Sequence, residues 1–392
     1  MKSKTFTFGL LPRVLLAIGA GILVGAYLPD WLIRLLLTYN MLFSELLGFI
    51  VPLIIVGFVT TAIADVGNKA GKLLVLTTLI AYGMTVGAGI LSYYTADTFF
   101  PDFILSASGS LGDTSYTTLT PYFSLEISPL MDVVSALALS FILGIGLSRR
   151  SPEAPLRGAM DDLSAIIHAT IRHFIIPLLP PYIFGIFVEM VSKGQVAHVL
   201  STFAQIILII FALHILLLLL QYSIAGLVAG RNPFRALYNM LPAYFTALGT
   251  QSSAATIPVT LEQVKKNGVS EDIAGFVVPL CATIHLAGSM LKIVACAVAL
   301  MLMQDIGYTT PMMLGFILML AITMVAAPGV PGGAIMAALG VLENMLGFDN
   351  TDQALMIALY IAMDSFGTAA NVTGDGAIAI IINRVAKTAT SS

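Results

Sequence analysis

Charge is what this sequence has least of: only 10% of its 392 residues are Asp, Glu, Lys or Arg, against about a quarter in soluble domains. Soluble enzymes, nucleic-acid binders and disordered chains all need a charged or polar exterior, and that class is excluded. Cysteine is nearly missing. The two thiols, Cys281 and Cys296, fall inside one apolar stretch, so no disulfide framework follows and both read as small apolar fillers. No Gly-Lys-Ser/Thr sequence occurs, which excludes a phosphate-binding loop. Lys and Arg are absent from the whole interval between Lys72 and Arg149, although Asp97, Asp102 and Asp113 lie within it.

What the chain does have is apolar length, with 58% apolar residues and a mean hydropathy of +0.96. A helix needs about 20 such residues to cross a bilayer. Spans are placed at 12–28, 31–64, 73–96, 129–147, 165–191 and 199–229. The first is read as a retained span and not a cleaved export signal, because no small-residue cleavage site follows it. Two later blocks, hairpin one at 233–267 and hairpin two at 310–348, carry the interruptions Gly249-Thr250-Gln251-Ser252-Ser253-Ala254 and Ala327-Pro328-Gly329-Val330-Pro331-Gly332-Gly333. Broken backbone at membrane depth survives only inside protein or along a cavity, so both blocks read as re-entrant hairpins. Unbroken helices are expected at 274–303 and 354–387. Basic residues support the layout: Lys69 and Lys72, then Arg149, Arg150 and Arg157, then Arg231 and Arg235 sit in alternate loops, which makes those loops cytoplasmic together with both termini. The acidic stretch 101–121 reads as an external loop, and Arg34 and Lys193 as interfacial, snorkelling exceptions.

The last span carries a polar stripe, since Asp364, Thr368, Asn371 and Asp375 fall at i, i+4, i+7 and i+11. Carboxylates at bilayer depth cost about 2.5 to 3.5 kcal/mol on insertion scales, so they mark a functional cavity or a charge partner. Functional use is favoured over a structural ion pair, because the only intramembrane cation nearby is Lys292. An intramembrane aspartyl protease does not fit: eleven residues at 1.5 Å each hold the two carboxylates roughly 16 Å apart. Two broken hairpins beside a polar helix suit a transporter, whose solute meets exposed helix ends near the midplane. Ser252 and Ser253 at one tip suit a carboxylate, and the Gly-Pro tip of the other suits a gate or a cation bound by carbonyls.

The runs Gln251-Ser252-Ser253-Ala254-Ala255-Thr256-Ile257-Pro258, Pro279-Leu280-Cys281-Ala282-Thr283, Gly329-Val330-Pro331-Gly332 and Asn371-Val372-Thr373-Gly374-Asp375 together resemble the glutamate transporter homologues, the dicarboxylate and amino-acid:cation symporters. The resemblance is strong from residue 233 to 387 and topological before that. It implies an all-α polytopic membrane protein with eight transmembrane helices, two re-entrant hairpins, inverted repeats and an elevator-type motion. It also implies a homotrimer in the inner membrane, with a trimerisation scaffold at 8–68 and 125–196 and a transport domain at 69–96 and 197–388. By the same resemblance Asp364 binds a substrate α-amino group, assisted by Thr368, and Asn371 holds the α-carboxylate. Ser252, Ser253, Ser289, Val330, Pro331, Gly332 and Gly367 complete the expected substrate site, with no enzyme activity and no cofactor.

Two departures from the family pattern set the specificity and the coupling. Acidic-substrate members carry an arginine one turn after the aspartate of the last helix; here Gly367 stands there, and no other cation is expected near it. The implied substrate is an α-amino acid with an uncharged side chain, the alternative being an acidic amino acid or C4-dicarboxylate carried with sodium or a proton; an anion channel is the competing class. Sodium-coupled members read Asn-Met-Asp-Gly-Thr where this chain reads His285-Leu286-Ala287-Gly288-Ser289, so oxygen ligands are lost and sodium coupling is expected to be weak or absent. Asn371 and Asp375 remain as a residual cation site. His285 is open to two readings, a proton-coupling or gating role and a hydrogen-bonded structural one.

Overall fold

A computed structural model describes residues 10–68, 72–108, 119–151, 153–192, 196–325, 327 and 331–390, and helices are the only regular secondary structure among them. Six helical stretches, Asp30–Thr61, Leu73–Asp102, Pro155–Ser192, Phe203–Ala229, Glu271–Met303 and Asp364–Ala386, are long and apolar enough to cross a membrane. The chain is therefore an all-α, multi-pass membrane protein.

The first half contains α1 (Leu10–Gly25), α2 (Asp30–Asn68), α3 (Lys72–Ser108), α4 (Val133–Ser148), α5 (Pro155–Thr170), α6 (Ile176–Ser192) and α7 (Val196–Ala229). Helix α3 continues past Pro101 to Ser108, so the first part of the expected external loop is helical; 109–118 lie outside the described residues, as does Lys193. Between α5 and α6 the helix widens into a π turn, Ile171–Ile175, in which the Ile176 amide reaches back to the Ile171 carbonyl. Pro177, Pro180 and Pro181 follow at once. Each lacks an N–H, and the carbonyl that Pro177 leaves without an α-helical donor, that of His173, lies inside the widened turn.

Two helical hairpins form where the chain is interrupted. Helix α8 (Pro233–Thr250) ends at Gln251, whose φ of 53° turns the chain, and Ser252 caps α9 (Ser253–Lys266) by accepting from the Ala255 amide at 3.3 Å. The far end closes as well, because Asn267 donates to the Ala236 carbonyl at 2.9 Å and accepts from Asn239 at 2.8 Å. Helices α12 (Thr310–Val325) and α13 (Gly333–Leu346) make the second hairpin, and Gly332 takes the left-handed conformation (φ 75°) that lets α13 begin. Pro328, Gly329 and Val330 lie outside the described residues.

The two intervening segments are not the unbroken helices expected from the sequence. One is split at His285-Leu286 into α10 (Glu271–Ile284) and α11 (Ala287–Met303), the other at Met363 into α14 (Asn350–Ala362) and α15 (Asp364–Thr390). Every residue of α11 from Ala287 to Met301 is buried, Ser289 and Lys292 included, as a helix apolar nearly all round requires. Helices α1, α2 and α4 to α6 pack among themselves, and α15 is surrounded by α3 and α7 to α11.

Candidate substrate site

Both hairpin tips and both helix breaks meet around the start of α15. Asp364 is buried, and its two carboxylate oxygens have different partners: Oδ2 accepts from the Gly332 amide at 2.8 Å, and Oδ1 accepts from Lys292 Nζ at 3.0 Å. The first tip arrives beside them, Gln251 donating to the Ser365 hydroxyl at 2.8 Å. Asp364 therefore lies between the two tips, with a cation beside it that is not expected from the sequence. Lys292 is fully buried and holds three contacts at once: Asp364, the Tyr360 carbonyl at 3.3 Å, and the Tyr360 ring, with its ammonium 3.4 Å from the ring centre. An ammonium has three protons, and these partners use its donor directions fully.

The expectation that no cation replaces the missing arginine at Gly367 is overturned. A Cβ at Gly367 would stand 2.9 Å from both Cε and Nζ of Lys292, so the absent side chain is what makes room for the lysine. Lys292 was visible in the sequence as a lone intramembrane cation. Its fit to Gly367 was not, because 75 residues of chain separate the two numbers 292 and 367.

One and two turns further along α15, Thr368 and Asn371 are buried. Asn371 ties the last helix to the break before α11: its Oδ1 accepts from the Gly288 amide at 2.8 Å and its Nδ2 donates to Ser289 Oγ at 3.2 Å. Ser289 Oγ in turn lies 2.9 Å from the Tyr360 hydroxyl. His214 of α7 is buried, with Nε2 at 3.0 Å from the Gly288 carbonyl. Thus the break at His285-Leu286 is held by side chains from α7 and α15, and Asn371 satisfies the Gly288 amide that an intact helix would pair internally.

Asp375 is also paired. His285 Nδ1 lies 2.9 Å from its Oδ1, and His285 Nε2 faces Gln221 Nε2 at 3.3 Å. Donation from Gln221 into the ring and from the ring into Asp375 fits an imidazole carrying its proton on Nδ1. Gly374 permits this contact, since a Cβ there would come within 2.5 Å of the ring. The structural pairing that the sequence disfavoured is thus present at both aspartates, as an ion pair with Lys292 at Asp364 and as a hydrogen bond from the His285 ring at Asp375. Asn371 turns its carbonyl oxygen to helix amides, and among the described residues no cluster of three His, Cys, Asp or Glu side chains is placed to hold a metal ion. Of the remaining expected site residues, Ser253 is buried and Pro331 half-buried, while Val330 lies outside the described residues.

Sequence profiles agree with this architecture. The profile of the Sodium:dicarboxylate symporter family matches residues 10–385. The serine/threonine transporter SstT of Acinetobacter baumannii (strain AYE) is 26% identical over 383 residues, covering 93% of this chain and 94% of its own. SstT of Enterococcus faecalis is 25% identical over 390 residues, with 93% and 89% covered. The neutral amino acid transporter B(0) of Bos taurus is 26% identical over 250 residues, covering 62% of this chain and 46% of its own. With nearly the whole chain matched, the protein is a transporter and not an enzyme, and it belongs to the sodium:dicarboxylate symporter family.

Proposed function

We propose that the protein carries an α-amino acid with an uncharged side chain across the inner membrane as a secondary transporter. The observation that carries this reading is the convergence on Asp364 of the Gly332 amide from one tip and, through Ser365, of Gln251 from the other. A buried carboxylate between two helix breaks is suited to a substrate ammonium, and Ser252, Ser253 and Asn371 are assigned to the substrate's carboxylate in this reading. The names of the bacterial and bovine relatives favour a neutral substrate. The two hairpins are read as re-entrant, the helices α7 to α15 with α3 as a transport domain moving like an elevator, and α1, α2 and α4 to α6 as the trimer scaffold, with both termini cytoplasmic. The packing of α1, α2 and α4 to α6 on one another supports that division, with α12 to α14 as the elements that chiefly meet them from the other group.

Sodium coupling is reduced in this reading. Ala287 brings no carboxylate, and His285 already occupies one oxygen of Asp375. The coupling ion is then a proton, a weakly held sodium ion at Asn371 and Asp375, or none. A second reading, an acidic amino acid or C4-dicarboxylate carrier, gains one specific observation: Lys292 places an ammonium at Gly367, where a second substrate carboxylate would need a partner. Counterflow in proteoliposomes with labelled L-threonine, L-aspartate and succinate separates the readings. The neutral reading predicts counterflow for threonine, the acidic one for the other two, and a channel gives none.

A further inference from the structure

We infer that Lys292 is a tethered ammonium that fills the substrate-amine position on Asp364 whenever substrate is absent from it, and so allows the carrier to return unloaded. The inference rests on the amino-acid reading above. Its basis is the geometry of one carboxylate. Oδ1 is taken by Lys292 Nζ at 3.0 Å and Oδ2 by the Gly332 amide at 2.8 Å, with both charged side chains buried. A substrate ammonium reaches that carboxylate only by displacing the lysine, because two cations on one buried oxygen repel strongly in low dielectric.

Displacement does not leave Lys292 without partners. The Tyr360 carbonyl and the Tyr360 ring already hold the ammonium independently of Asp364 Oδ1, and Gly367 leaves the end of the lysine chain free of a Cβ. A four-carbon stem shifts such a head group by rotamer changes alone. The pair also joins three elements, α11, α15 and the tip at Gly332. A neutralised Asp364 lets that tip rest on it; an unpaired carboxylate held by one amide would be a buried charge, which is strongly disfavoured. Substrate and Lys292 are therefore alternative counter-ions, each able to close the tip over a neutral site.

The test compares two modes of flux in proteoliposomes with labelled L-threonine: exchange, in which the carrier always crosses loaded, and net uptake, in which it must return unloaded. Lys292→Met should raise the ratio of exchange to net uptake by at least about tenfold, and Lys292→Arg should restore most of it. Because an unpaired Asp364 destabilises the fold, thermal melting supplies a second readout. L-threonine should raise the melting temperature of Lys292→Met more than that of the parent protein. If Lys292→Met is stabilised by n-propylammonium but no amino acid stabilises it or is exchanged by the parent, the tethered cation stands and the amino-acid reading fails. Equal loss of both flux modes, an unchanged ratio, or equal stabilisation of variant and parent by L-threonine and by n-propylammonium overturns the inference.

Discussion

At the scale of single residues the site is organised by a buried ion pair, Lys292 with Asp364, and a buried hydrogen-bonded pair, His285 with Asp375. Removing one partner of a buried pair costs about 3 to 5 kcal/mol, so Asp364→Asn should weaken substrate binding by about a hundredfold or more. Equilibrium binding of labelled L-threonine checks this, and the double variant Asp364→Asn with Lys292→Met, which leaves no unpaired charge, should fold and still fail to bind. Unchanged affinity in the double variant would remove Asp364 from the site. Gly367 offers a sharper case. From sequence alone an arginine placed there should attract acidic substrates; with Lys292 filling the space, Gly367→Ala already meets the lysine at 2.9 Å. Overpacking of this kind costs about 1 to 3 kcal/mol, so Gly367→Ala should lower the melting temperature, and Gly367→Arg should impair transport of every substrate. A Gly367→Arg variant that transported aspartate well would contradict the placement of Lys292.

Among the helices, much was legible where a local residue imposes the structure, and little where a distant one does. Gln251-Ser252 and Pro331-Gly332 mark the hairpin tips by themselves, because a left-handed residue, a serine cap and a proline each act on adjacent backbone. The breaks at His285-Leu286 and Met363 carry no glycine or proline at the break. They are stabilised by His214, Asn371 and Lys292, which reach carbonyls and amides 68 to 83 residues away in sequence. The pairings of Lys292 with Asp364 and of His285 with Asp375 were hidden for the same reason. One helix start is purely local: Asp349 and Asp352 form a reciprocal capping box at α14. Asp349→Ala should cost about 1 kcal/mol, read as a drop in melting temperature. Burial raises the carboxyl of Asp352 above its ordinary 3.8, against the hydrogen bond from Gln304 that lowers it. With a raised folded-state value, the group's contribution is full at low pH and declines as pH rises through that value. Asp352→Asn should accordingly flatten the fall in melting temperature on raising the pH from below 3.8 toward neutrality.

For the molecule as a whole, the composition was enough to establish a multi-pass helical protein, and the order of spans and hairpins followed from apolar length and basic loops. Ion coupling is the property in which this chain is expected to part from its family. Linkage limits what sodium can add to substrate affinity to the ion's own preference between states. With His285 on Asp375 and the Asn371 carbonyl committed to helix amides, that preference should be small. Replacing sodium by choline should change the apparent affinity for L-threonine by less than about threefold; a change of several orders of magnitude would mean that backbone carbonyls have rebuilt the sodium sites. The central claim, a neutral amino acid bound through its ammonium at Asp364, is tested most directly by uptake of labelled L-threonine into proteoliposomes against excess unlabelled competitors. The account predicts that L-serine suppresses uptake while succinate, which has no amine, does not and L-aspartate does so only weakly. Accumulation of succinate or aspartate, with threonine neither transported nor competing, would contradict it.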